Sequence, residues 1–371
     1  MDDCLIVGAG VIGLSLAYEL ARHGQRVHVI DRGQPGGEAS WAGAGILPPA
    51  NLATAIHPWD QLRGLSNQVH PQWARELRQE SGIDTGFRRC GGIYLARSGG
   101  EAAALAGLMD AFVREDVEVR RLAEDDLTVV EPALLPAFQA GRLRSVYLAP
   151  GESQLRNPHH LRALFLASAS RGVRISADQS VVGFDVKGHR LRSVLTESGN
   201  HTAANICITS GAWTYRLLSQ LGIPTGIMPI RGQIVLLRCP TKVFHHILNE
   251  GPRYLVPRDD GRILVGSSEE EAGYDKSTTT EVLEELKQLA YDLVPSLTQG
   301  SVERTWAGLR PGSFDGMPYI GRLPGLDNAF VAAGHFRSGL STSPGTAIVL
   351  GQLMRGQTPQ IDLTPFRPGR G

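Results

Sequence analysis

Lysine is scarce in this chain. Only Lys187, Lys242, Lys276 and Lys287 are lysines among 37 basic residues; 37 acidic residues balance them, and the formal net charge is zero. A balanced chain without a basic run lacks the electrostatic footprint of a nucleic-acid binder, so no nucleic-acid partner is expected. With arginine so abundant, a functional arginine has to be argued from its position. Cysteine is sparse too. Cys4, Cys90, Cys207 and Cys239 form no CxxC pair and no zinc spacing, so no metal ligands are expected. Cys4 and Cys207 lie in apolar runs and read as buried free thiols. No run of 18 apolar residues is present, which excludes a membrane-spanning helix. No basic, signal-like segment precedes the first apolar run, so a reducing cytoplasm is the expected location. No GxSxG and no Cys–His signature offers a nucleophile, which leaves the chemistry to a cofactor.

Glycine is what the chain has in excess, 44 in 371 residues, against a usual ~7 %. The most informative glycines open the chain. Cys4-Leu5-Ile6-Val7 reads as a strand, Gly8-Ala9-Gly10-Val11-Ile12-Gly13 follows, and Leu14 to His23 has a helical stripe of Leu16, Ala17 and Leu20. Gly24 ends that helix, Val27 to Ile30 is a second strand, and Asp31 stands at its end, 18 residues beyond Gly13. In this pattern Gly8 permits the tight turn, Gly10 lets the backbone approach a pyrophosphate, and Gly13 lets helix and strand pack closely. The helix N-terminus faces the phosphates, and the acid accepts from a ribose hydroxyl. An acid in that place favours FAD or NAD over NADP.

Beyond Asp31, the small residues from Gly33 to Gly45, followed by Ile46-Leu47, suit backbone contact with a ligand. Helices are expected over 59–82, 101–115 and 278–293. A further helix is expected to 172, with Asn157 as N-cap, and a last one over 339–354. His159 and His160 are adjacent, point apart, and are expected to be solvated or capping. Strands are expected over 91–96, 145–148, 173–175, 181–186, 190–197, 205–209, 233–238, 253–256, 262–266, 301–309 and 330–334. The tail after Arg355 is expected to be loosely held. Nucleotide-type signals lie at the start, middle and end, so the expectation is two domains built from interleaved pieces. One binds the dinucleotide and the other covers it with a mixed sheet.

Three segments carry candidate chemistry. Arg310 is expected to end a strand before Pro311-Gly312, so that a constrained turn aims its guanidinium at a carboxylate. Tyr254 offers a phenolic hydroxyl. The loop Gly334-His335-Phe336-Arg337-Ser338-Gly339 lies between a buried strand and a helix start, a second place for an anion or an electron-rich cofactor atom. Taken alone, Arg310 reads equally well as a surface ion-pair residue, Tyr254 as packing and His335 as a cap.

These residues together resemble the D-amino acid oxidase superfamily. The resemblance runs over Gly8 to Gly13, Ala39 to Leu47, Tyr254 to Arg258, Trp306 to Gly321 and Ala332 to Gly339, and within the superfamily it is to the glycine oxidases of the thiamine-biosynthesis type. It implies an α/β (α+β mixed) fold: a glutathione-reductase-like FAD-binding Rossmann domain interleaved with a substrate domain on a mostly antiparallel sheet. The implied division is 1–50, 152–222 and 316–371 for FAD, and 51–151 and 223–315 for substrate. The implied reaction is FAD-dependent oxidation of glycine, sarcosine or a small D-amino acid, with O2 reduced to H2O2. FAD is expected to be noncovalent, because no Cys follows Cys239.

By motif, Arg310 matches the carboxylate-binding arginine, Tyr254 its assistant and Arg337 a second arginine near the substrate. His335, Phe336, Arg337, Ser338, Gly339, Leu340 and Ser341, after Gly334, match the stretch along the isoalloxazine. Asp31 and Arg32 match the ribose contact. Ala39, Ser40, Ala44, Gly45 and Ile46 match the pyrophosphate and flavin loop. Val181 matches a backbone contact to adenine. Gly8, Gly10, Val11, Ile12 and Gly13 complete the expected cofactor set. Pro252, Arg253 and Glu269 depart from the pattern, and Glu269 favours a substrate with a basic or methylated amine. The resemblance also implies a homo-oligomer, a tetramer among the options, and hand-over of product to a thiazole synthase. The competing expectation is an FAD-dependent dehydrogenase of a 2-hydroxy acid or D-amino acid with a quinone-type acceptor. A non-catalytic flavin or NAD module is the other.

Overall fold

The computed structural model describes residues 2–370. Two large sheets organise them. The first runs Tyr319–Arg322, Ala329–Ala333, Ala203–Ile208, Asp2–Val7, Val27–Ile30 and Arg174–Ser176. All neighbours pair parallel except Tyr319–Arg322, which runs antiparallel to Ala329–Ala333. A parallel sheet is covered on both faces, which is why Leu5, Ile6 and Val7 form an unbroken apolar run, all buried. Helix Val11–Arg22 buries Leu14, Leu16, Ala17 and Leu20 and packs against helices Ser343–Met354 and Asn157–Ser170.

The second sheet has eight strands, in the order Ser301–Gly312, Met228–Arg238, Arg262–Gly266, Arg253–Pro257, Ile247–Glu250, Gly92–Ala96, Ser145–Ala149 and Arg120–Arg121. Only the pairing of Ile247–Glu250 with Gly92–Ala96 is parallel. Alternation along its strands separates two faces. Val235 and Leu237 pack with Leu286, Leu289 and Leu293 of helix Thr280–Leu293. Ile234, Tyr254 and Val256 on the other face pack with Ala44 of the first body. A small three-stranded sheet, Val181–Lys187, Arg190–Thr196 and Gly199–His201, lies beside the first.

Several expectations change. The strand carrying Arg310 does not stop at Leu309. It continues to Gly312, with Arg310 opposite Ile230 and Pro311 opposite Pro229, so the sheet rather than a turn sets its direction. The last long helix begins at Ser343, not Gly339; a 3-10 turn, Phe336–Ser338, precedes it. The loop after Gly334 therefore offers no long-helix N-terminus. Asn157 is the first helical residue rather than the cap, which is Arg156. His160 is neither solvated nor capping: it is fully buried, and neither ring nitrogen has a partner among the described residues. The tail is held, because Ile361 and Phe366 are buried and Arg370 stacks on Tyr319 and pairs with Asp315.

Helix Pro58–Ser81 lies within the expected substrate span, yet Leu62, Leu65, Trp73 and Leu77 sit in the core of the first body. We propose that the chain divides by its two sheets, into 1–50, 152–222 and 316–371 against 51–151 and 223–315, with this helix reassigned to the first.

Candidate active site

A cavity of about 730 Å³ lies between the two bodies, within the usual range for a ligand site of roughly 300–1,000 Å³. One wall begins at the Gly8 turn. Gly8 has φ of +116°, and a Cβ there would stand 2.6 Å from the Thr209 carbonyl oxygen. Thr209 Oγ1 donates to the Gly8 carbonyl at 2.8 Å, and Ser210 Oγ to the Val7 carbonyl at 2.9 Å. The end of strand Ala203–Ile208 thus buttresses the turn from a segment about 200 residues away in the chain.

Asp31 is wired to the same turn. Its Oδ2 accepts from Ala9 N at 2.6 Å and its Oδ1 from Gly33 N at 2.9 Å. Burial raises its carboxyl above the ordinary range, and the two N–H donors oppose that rise. Arg32 stacks on the Trp213 ring at 3.7 Å and pairs with Glu38. Ser40 Oγ accepts from Val11 N at 2.9 Å, satisfying one free N–H at the helix start.

Of the expected cofactor residues, Gly8, Gly10, Val11, Ile12, Asp31, Arg32, Ala39, Ser40, Ala44, Gly45, Ile46 and Val181 line this cavity, as do residues 335–341. Tyr254, Arg310 and Arg337 line it too. Gly13 and Gly334 do not. Gly13 abuts the Gly8 backbone, and Gly334 adopts φ of +81° behind the wall.

The opposite wall depends on two glycines, Gly232 and Gly266, that no motif in the sequence marks. Arg310 and Tyr254 stand on strands separated by two others, a gap of roughly 14 Å at ~4.8 Å per strand. The intervening positions are Gly232 and Gly266. A Cβ on Gly232 would lie 2.0 Å from Arg310 Nη1, and one on Gly266 would lie 2.8 Å from the Tyr254 hydroxyl. Both long side chains therefore lie flat over bare backbone and converge. Arg310 Nη2 donates to Ser267 Oγ at 2.5 Å and Nη1 to the Ser268 carbonyl at 3.2 Å. Neither partner is a carboxylate, so the guanidinium keeps its charge for a ligand. Burial lowers the Arg310 pKa from its ordinary value, while Tyr254 and Glu269 oppose that shift.

Other residues act from behind. Arg258 is buried and donates to Gln154 Oε1, the Leu155 carbonyl and the Ala44 carbonyl, pinning the small-residue loop to the second sheet. His70 Nε2 bonds the Ser341 carbonyl at 2.9 Å and steadies the 335–341 stretch. His335 Nε2 bonds Thr346 Oγ1 at 3.1 Å, and burial pushes its pKa down to about 3, so the ring is neutral.

Glu152 is fully buried at the cavity wall. Its Oε2 accepts from Tyr94 OH at 2.5 Å and its Oε1 from Asn249 Nδ2 at 3.0 Å. Burial pushes its carboxyl up to about 7. The native state therefore holds this proton more tightly than the unfolded chain does. That stabilisation is complete below the unfolded value near 4.5 and is lost as pH rises through about 7. Across the full window the loss is on the order of 3 kcal/mol. The stability of Glu152→Gln relative to the unsubstituted protein is expected to rise by roughly that amount between pH 4 and 8. Paired thermal or urea unfolding at each pH measures it, and the difference cancels the common effect of the buried histidines. An unchanged difference would mean that the carboxyl titrates normally.

Asn157 ties the start of its helix to the Ser40 loop. Its Nδ2 donates to the Ser40 carbonyl at 2.8 Å, but its buried Oδ1 has no partner among the described residues, and the residue lines the cavity. The Gly8 turn, which a side chain would fill, the bare backbone at Gly10 and the Asp31 carboxylate at the cavity wall fit an adenine dinucleotide.

Comparison with known proteins agrees. A family model described as "FAD dependent oxidoreductase" matches residues 3–353. The chain is 35 % identical over 375 residues to a glycine oxidase of Pseudomonas aeruginosa, covering 99 % of this chain and 98 % of that protein. It is 29 % identical over 378 residues to the bifunctional protein ThiO/ThiG of Synechocystis, covering 100 % of this chain and 54 % of that protein. The crystal structure of glycine oxidase from Geobacillus kaustophilus superposes with a TM-score of 0.93 at 31 % identity, covering 100 % of this chain and 99 % of that one.

Proposed function

The chain belongs to the FAD-dependent oxidoreductase family, and from that premise we propose that it oxidises glycine. The reaction would convert glycine, O2 and water to glyoxylate, ammonia and H2O2. Sarcosine and small D-amino acids are the neighbouring substrates. The observation that carries this reading is the Arg310–Tyr254 pair over Gly232 and Gly266, a carboxylate grip on the sheet face opposite the nucleotide cradle. Bound noncovalently, FAD would supply the two-electron acceptor. Gly8, Gly10, Val11 and Ile12 would hold its pyrophosphate, Asp31 and Arg32 its ribose side, and Val181 its adenine. Residues 44–46 and 335–341 would lie along its ring system.

In this reading Arg310 binds the substrate carboxylate bidentately, and Tyr254 adds a hydroxyl that fixes its rotation. Orientation of the Cα–H bond follows from that two-point grip, and orientation alone supplies roughly 7 kcal/mol or more in well-placed reactions. The buried, neutral His335 puts no imidazolium beside the ring stretch. Ile46, Leu309 and Leu340 line the cavity and would limit water at the reacting centre once FAD and substrate are bound.

Support for a link to thiazole synthesis comes from the fused ThiO/ThiG relative, of which this chain spans about half. We extend the reading to hand-over of product to a thiazole synthase, a homo-oligomeric state such as a tetramer, and a cytoplasmic location. No helix among the described residues is long and apolar enough to cross a membrane. The similarity to glycine oxidases disfavours a quinone-linked dehydrogenase. The test is anaerobic mixing of the yellow holoenzyme with glycine, sarcosine, small D-amino acids and 2-hydroxy acids. Bleaching by glycine, with peroxide on readmission of air, is expected. Bleaching by hydroxy acids alone would overturn the reading.

A further inference from the structure

Pro252 and Glu269, two of the three positions where the chain departs from its resemblance, meet at one side chain. Arg337 Nη1 pairs with Glu269 Oε1, and Arg337 Nη2 donates to the Pro252 carbonyl at 2.5 Å. Three segments converge here: the turn before strand Arg253–Pro257, the stretch after strand Arg262–Gly266, and the turn Phe336–Ser338. Both charges reach the buried guanidinium of Arg310. Arg337 shifts it one way and Glu269 the other. Arg253, also at the cavity wall, is paired with Glu250 at 2.6 Å. Of these three arginines at the substrate end of the cavity, Arg310 alone has no carboxylate partner among the described residues.

We propose that Glu269 is a specificity residue: by pairing with Arg337 it leaves the site one uncompensated guanidinium, so the pocket accepts amino acids with a single anionic group and rejects those with a second. The reason is electrostatic. A second carboxylate would approach Glu269 and would find Arg337 already engaged at both of its terminal nitrogens. The pair stands at the partly solvated rim of the cavity, with the Arg337 and Glu269 side chains 31 % and 37 % exposed, so like-charge repulsion over a few ångströms is screened but still discriminates, whereas an uncharged substituent is indifferent to it.

The proposal rests on the proposed amino-acid site, so its test separates the two. Malonate and acetate differ by one carboxylate and cannot be oxidised as amines. Their dissociation constants are read from perturbation of the holoenzyme's visible spectrum. Sarcosine and iminodiacetate make the corresponding substrate pair, differing by a carboxylate on the amine substituent. In Glu269→Gln the preference for the dianionic member over the monoanionic one is expected to rise about tenfold in both binding and kcat/KM. The gain should vanish in the double variant Glu269→Gln/Arg337→Gln, because Arg310 holds the first carboxylate and no guanidinium is then released for a second. Equal ratios in the unsubstituted protein and in Glu269→Gln would overturn the proposal. So would a gain that survives loss of Arg337. Failure of glycine and sarcosine to reduce the holoenzyme would instead count against the proposed function, whatever the malonate ratio shows.

Discussion

Arg310→Ala is expected to lower kcat/KM for glycine about a thousandfold while the protein stays folded and yellow. The size follows from what the guanidinium does. Truncating one partner of a buried, hydrogen-bonded charge pair costs roughly 2–5 kcal/mol, and every ~1.4 kcal/mol is a factor of ten. Here the substrate carboxylate would enter a largely dehydrated site and find only Tyr254. Flavin retention is expected because Arg310 belongs to the second sheet, across the cavity from the Gly8 turn. Its protein partners, Ser267 Oγ and the Ser268 carbonyl, are neutral, so no carboxylate is orphaned by its removal. Arg310→Lys should recover part of the loss, since it restores charge without the planar fork. Peroxide release and the flavin spectrum measure the two effects separately. Glycine turnover within tenfold of the unsubstituted enzyme would place the carboxylate elsewhere.

The second large effect comes from contrasting two glycines of the same motif. Gly13→Ala should weaken both FAD binding and the apoprotein, whereas Gly10→Ala should weaken FAD binding alone. A Cβ on Gly13 would lie 1.9 Å from the Gly8 carbonyl oxygen and 2.7 Å from Thr209 Oγ1. These neighbours are backbone and a hydroxyl bonded to it, so they cannot swing aside. Overpacking of this kind costs about 1–3 kcal/mol or more, and it would push the helix start off the Gly8 turn. Gly10 differs. Its added Cβ would meet only Ser40 Oγ, at 3.3 Å, and its φ of −72° suits any residue. The methyl would therefore project toward the ligand, costing FAD affinity on the order of tenfold or more through steric exclusion. Thermal unfolding of the apoproteins and fluorescence titration with FAD distinguish the two. Equal loss of stability in both variants would contradict this account.

Which features were legible in the chain follows from how local they are. The run from Cys4 to Asp31 announces strand, turn, helix, strand and acid in order, because each step depends on neighbours a few residues away. The buried parallel strands showed as apolar runs for the same reason. Arg310 was legible as a candidate but its setting was not. Pro311-Gly312 resembles a turn, yet pairing with Pro229 and Met228 carries the strand straight through. Edge position made that possible, since Ser301–Gly312 has a single neighbour and the missing N–H of Pro311 need not bond a second strand. The burial of His160 and of the tail is not legible in the sequence, because burial is set by what packs on a segment, and helix Pro58–Ser81 and the Tyr319 ring come from far along the chain.

The sequence by itself determined that residues 8–31 carry a dinucleotide-binding pattern, that no nucleophile motif competes with a cofactor, and which arginine and tyrosine to suspect. These are matters of residue type at fixed spacing. Tertiary structure alone decided that Gly232 and Gly266 clear the floor beneath Arg310 and Tyr254, that Glu152 is buried between Tyr94 and Asn249, and that Glu269 engages Arg337. Each of these depends on strands or loops far apart in sequence lying ångströms apart in space. Charge, reach and dehydration act over those few ångströms, and the order of residues along the chain does not encode them.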